Sequence, residues 1–123
     1  MKKAFVISEE GAQEAAAKGR KEALQYSVRK YRWLAKFMTA DHLPSAEIYT
    51  DTCPLCYRYR GSYIKCPLIR KVCLRHGTCH IKWRRINSIR LGYTSEGSVT
   101  SFRQACRDFA NTINRKLAPK DRI

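Results

Sequence analysis

Apolar residues recur at helical steps in two stretches of this chain. In the first, Leu24, Val28, Tyr31, Ala35 and Met38 follow one another every three or four positions, and Leu34 widens the stripe. Such spacing gathers side chains on one side of a helix. The segment Glu9 to Met38 is also rich in Ala, Glu, Gln, Lys and Leu, so it is predicted to be a long helix. Ser8 is its candidate cap, residues 1–8 read as an extended lead, and Gly11 and Gly19 weaken the first half. Lys21, Arg29, Arg32 and Lys36 share another face. Tyr26, Trp33 and Phe37 fall opposite the main stripe, where either a second copy or the chain's own loops would cover them. In the second stretch, Val99, Phe102, Cys106, Phe109, Ile113 and Leu117 predict an amphipathic helix over 98–118. Ser98 is the candidate cap and Pro119 the stop, with Arg103, Arg107 and Arg115 off the apolar face.

Between these stretches the pattern changes. "ADHLPSAEIYTDT" reads as a connection, because Pro44 ends helical continuity. Residues 53–80 hold the turn formers Pro54, Gly61, Pro67 and Gly77 and show little periodicity. A short helix is predicted over 82–91, with Trp83, Ile86 and Ile89 inward, and "GYTSEG" then breaks the chain. The expected fold is mainly α, a single domain over 1–123. An N-terminal helical region (1–40) and the C-terminal helix pack around a small irregular Cys-rich zinc loop. With 123 residues and 44% apolar content the core is modest, and such a chain gains from a staple.

The candidate staple is "CPLCYRYRGSYIKCPLIRKVCLRHGTCH", Cys53 to His80, which contains five cysteines and two histidines. Cys53 and Cys56 form a C-x2-C pair, and two thiolates at that spacing grip one tetrahedral ion from a single tight turn. The remaining ligands come from Cys66, Cys73, His76, Cys79 and His80, and spacing alone does not choose among them. Disulfides and unligated thiols are the competing roles. Structural zinc is favoured, since thiolate-rich tetrahedral sites suit it and clustered cysteines in a reducing compartment more often bind metal than pair. Cys106 stands apart, on the apolar face of the last helix, and reads as a core residue.

"CPLCYRY", then "CPL", then "CHIKW" resembles a loosely defined group of small bacteriophage and prophage proteins. Those have an N-terminal helix, a C-x-L-C-x-x-[YF] knuckle, a C-P-[LIV] turn, a further Cys near an aromatic and a closing helix. The resemblance spans roughly residues 20–117 and implies a zinc site made by Cys53, Cys56, Cys66 and Cys79, with no settled activity. The group often has another Cys shortly before C-P-[LIV], where this chain has Tyr63. Cys73, His76 and His80 are additional, so Cys73 or His76 is an alternate for Cys79.

Charge supplies the candidate partner. The formal net charge is +15, from 25 Lys and Arg against 10 Asp and Glu, which attracts polyanions. From Thr52 to Ser95 there is no carboxylate, but there are Arg58, Arg60, Lys65, Arg70, Lys71, Arg75, Lys82, Arg84, Arg85 and Arg90. A four-thiolate zinc site balances only part of that charge. Tyr59 and Tyr63 lie among these cations, while Tyr57 and Trp83 read as packing around the loop. Rings beside cations suit unpaired bases and phosphates. RNA or DNA is therefore the expected partner, with an acidic protein surface, docked by an interaction module or inhibitor, as the alternative.

Chemistry is not expected. The cluster contains no Asp or Glu to act as a base or hold magnesium, and no His-x-Glu deaminase motif occurs. Asp41–His42 and "HGTCH" do not follow the order of a zinc-stabilised ββα nuclease, and no glycine loop cradles phosphate. "MKKAFVISEE" lacks the long apolar stretch of a secretory signal, and no run approaches a membrane span. The expected setting is a reducing cytoplasm, that of the host if the chain is phage-encoded.

Overall fold

A computed structural model describes residues 7–39, 54, 58, 81–90 and 99–123. Within them the chain forms helices α1 (Glu9–Lys18), α2 (Arg20–Phe37), α3 (Ile81–Arg90) and α4 (Val99–Asn114), then a 3-10 turn at Pro119–Asp121. No strand occurs among the described residues, so the fold is mainly α, as the periodicities predict.

Ser8 starts α1 as expected: its backbone is extended, and its Oγ accepts from the Gly11 N–H at 3.0 Å. That bond satisfies one of the N–H groups every helix start leaves open, and Glu9 and Glu10 complement the positive end of the dipole. The Tyr26 hydroxyl fixes this cap to α2. It accepts from the Ser8 N–H at 3.0 Å and donates to the Ser8 carbonyl at 3.1 Å.

The single long helix expected over Glu9–Met38 is instead two helices that fold back on each other at Gly19. With φ 135° and ψ −178°, Gly19 has a backbone that side chains with a Cβ rarely adopt. Its carbonyl accepts from the Ala23 N–H at 3.0 Å and so opens α2. Gly11 stays helical. Its hydrogen leaves room that a Cβ would lack, 3.1 Å from the Tyr26 ring and 2.9 Å from Ser8 Oγ.

Among the described residues, helix α2 packs against both α1 and α4, while α3 packs on α4. The main core joins Leu24, Val28, Tyr31, Leu34 and Ala35 of α2 to Ile86 and Ile89 of α3 and to Phe102, Cys106, Phe109 and Ile113 of α4. The Tyr31 and Phe109 rings meet edge to face at 4.7 Å. Each such fully buried large side chain contributes about 1.5–3 kcal/mol. A smaller cluster of Ala12, Ala15 and Tyr26 seals α1 to α2. Tyr26 is thus covered by the chain itself, one of the two outcomes left open for that second stripe.

The last helix stops before the expected boundary. It ends at Asn114, and the Lys116 and Leu117 N–H groups reach back only three residues, to Ile113 and Asn114 at 2.9 and 3.1 Å. The tightened turn still delivers Leu117 to the core. Pro119 opens the 3-10 turn rather than stopping the helix.

Candidate nucleic-acid interface

The proposed metal ligands Cys53, Cys56, Cys66 and Cys79 and the alternates Cys73, His76 and His80 lie outside the described residues. Among the described residues no group of three or more His, Cys, Asp and Glu side chains is placed to hold a metal ion. Cys106 is a free, fully buried thiol in the main core, the role its spacing implied. Pro54, inside the C-x2-C pair, is helical and buried, where the sequence suggested a turn.

Of the ten cations singled out between Thr52 and Ser95, four have described side chains. Arg84 is exposed on α3. Arg85 beside it is also exposed and faces Asp108 of α4 at 4.0 Å. An exposed pair at that distance contributes little, so Asp108 is readily exchanged for a phosphate. Arg90 is half-buried and donates to Asn87 Oδ1 at 3.1 Å, which makes it an inward-turned member of the helix end. Arg58 is helical and exposed, and its guanidinium donates to the Ala16 carbonyl at 3.2 Å. Lys82 lies on α3, with its side chain outside the described set. Arg60, Lys65, Arg70, Lys71, Arg75, Tyr59 and Tyr63 fall outside the described residues.

Several arginines serve the helix ends, a role that counting charges does not reveal. Arg58 reaches the last turns of α1. Arg103 of α4 reaches the carbonyls of Ala35 and Lys36 at the end of α2, the latter at 2.9 Å. Arg20 donates to the Lys116 carbonyl at 3.3 Å, and Arg122 to those of Leu117 and Arg115 at 3.2 and 3.3 Å, just past α4. Helix C-termini leave carbonyls without partners and carry negative partial charge, and a guanidinium fork answers both. These cations hold the fold together as well as charging its surface.

Apolar spacing misses the burial of Lys30, whereas it places Trp33 and Phe37 opposite the main stripe. Lys30 is 1% exposed, with Nζ 5.2 Å from the Tyr31 ring centroid, although a lysine beside Arg29 reads as surface. At the end of α2, Phe37 is 53% exposed and its ring lies 5.3 Å from that of Trp33. A shallow groove between α1 and α2 carries both signs of charge, from Glu14, Lys18, Glu22 and Arg29, and its Lys18–Glu14 pair is 3.8 Å apart. Among the described residues no helix is long and apolar enough to cross a membrane.

No family model, curated protein or solved structure matches this chain.

Proposed function

We propose that this chain is a non-enzymatic, zinc-stabilised helical protein that binds RNA or DNA through the cationic stretch beginning at Arg58 and running into α3. The observation that carries the reading is the run from Thr52 to Ser95, with ten Lys and Arg and no Asp or Glu. Such a run raises a positive potential that is not cancelled locally and draws in a phosphate backbone. Arg84 and Arg85, exposed side by side on α3, are the part of it best placed to grip phosphate. Zinc, held by Cys53, Cys56 and two of the later ligands, would fix the segment between α2 and α3 in one shape. Catalysis has no support in the cysteine segment, which lacks a carboxylate. The resemblance of "CPLCYRY…CPL…CHIKW" to phage and prophage proteins suggests a mobile-element setting.

Salt titration of binding to a mixed-sequence oligonucleotide tests this. The logarithm of affinity should fall linearly with that of salt, with a slope of about 0.9 per phosphate contacted on duplex or about 0.7 on a single strand. Arg84→Ala with Arg85→Ala should weaken binding and flatten the slope while the melting temperature holds. No binding at about 100 mM salt would assign the charge instead to an acidic protein surface.

A further inference from the structure

The end of α2 presents a second surface that the cysteine segment does not include. From Ala23 to Phe37 the helix has no carboxylate, while Arg29, Arg32 and Lys36 stand exposed on one side. Trp33 and Phe37, one turn apart, lie on the side adjoining these cations, with Lys36 next to Phe37. Trp33 is half-buried against the core and therefore fixed, whereas Phe37 lies 53% exposed. Their ring centroids are 5.3 Å apart with planes inclined at 45°, and Lys36 Nζ sits 5.3 Å from the Phe37 centroid.

An exposed phenylalanine under a lysine, on a helix end that also carries Arg29 and Arg32, is poorly suited to an apolar partner, which would have to desolvate the charges. It fits a partner that is both planar-aromatic and polyanionic. The helix end would ordinarily oppose an anion, since its carbonyls carry negative partial charge. Here Arg103 donates to the carbonyls of Ala35 and Lys36, which offsets that repulsion. Duplex bases are already stacked on one another and leave no face for Phe37, whereas unpaired bases do.

We infer that Arg29, Arg32, Trp33, Lys36 and Phe37 form a stacking platform for unpaired bases of single-stranded nucleic acid. This rests on the nucleic-acid reading above and narrows it to single strands. A base stacks on Phe37, backed by Trp33, and the neighbouring phosphates take Arg29, Arg32 and Lys36, the last leaving the Phe37 ring.

The test compares a labelled mixed-sequence single-stranded oligodeoxynucleotide with the duplex made from it. Phe37→Ala should weaken single-strand binding about tenfold, one stacked base's worth, and change duplex binding less than about twofold. Phe37→Tyr should retain binding. With Trp83→Phe leaving Trp33 as the sole indole, the single strand should quench fluorescence. Phe37 is largely exposed, so the alanine variant should keep its helicity and melting temperature. Unchanged single-strand affinity in Phe37→Ala, with wild-type binding intact, overturns the platform and leaves nucleic-acid binding standing. A wild-type dimer that Phe37→Ala splits into monomers gives the patch to a second copy and also overturns it. If the wild type binds neither strand form, both readings fall.

Discussion

Cys106 sits fully buried where α4 meets α2, and burial pushes its thiol well above the ordinary value, while the charge of Lys30 pulls it the other way. The folded state therefore keeps the Cys106 proton at a pH where the unfolded chain has released it. An unfolded cysteine ionises near about pH 8.5. Below that the two states bind the same number of protons at this site, and its contribution is fully present. Above it the unfolded state binds fewer, so stability falls with rising pH, by at most roughly 1.4 kcal/mol per unit for the one group. Urea unfolding of the wild type and Cys106→Ala between about pH 8 and 10 should show that component in the wild type alone, as a gap that narrows with pH. Parallel pH profiles would sink the account. Spacing placed Cys106 in the core correctly because the apolar step pattern includes it. Lys30 was not legible in the same way. Its four-carbon stem is compatible with apolar surroundings, but a charged head counts as surface in any polar–apolar pattern.

The helices show where periodicity informs and where it misleads. The stripes on α2 and α4 were readable because each meets the other, so one face of each is apolar over its length. Boundaries were harder, since they depend on backbone geometry and on partners distant in sequence. Gly11 and Gly19 look alike in sequence, yet one is a close approach within a helix and the other a hinge with φ 135°. Gly19→Ala forces a Cβ onto that backbone and should cost about 1–3 kcal/mol, read as a lower urea midpoint. An unchanged midpoint would mean that the α1–α2 corner does not depend on the residue there. The end of α4 was overrun for a related reason: Leu117 keeps the apolar step although the chain has already tightened after Asn114. The arginine caps were invisible to a linear pattern, because Arg103 meets α2 from residues 67 and 68 positions away.

At the scale of the whole molecule, an excess of fifteen positive charges must be reconciled with compactness, since like charges repel in the folded state. Part of the answer is visible in Arg20, Arg58, Arg103 and Arg122, which direct charge at backbone carbonyls. The proposed thiolate site would supply more, since four thiolates on one zinc ion would carry a formal charge of −2 among the densest cations of the chain. The core supports the same view. Ile86 and Ile89 bring α3 into the main cluster, and the segment leading to α3 contains the five clustered cysteines, so a metal holding that segment would also hold α3 in register. Protein purified under reducing conditions should then contain one zinc per chain, and a strong chelator should lower its melting temperature, because binding energy at a structural site is folding energy. Cys53→Ser should lose both metal and stability. Cys106→Ser should keep the metal and lose only what a hydroxyl costs in an apolar core, about 1–3 kcal/mol. Chelation should also weaken oligonucleotide binding if the cations between Arg58 and Arg90 act as one surface, whereas stacking at Phe37, carried by α2, should survive it in part. A protein that is folded, metal-free and unmoved by chelator would remove zinc from this account and leave the charge of that segment to be balanced by its partner alone.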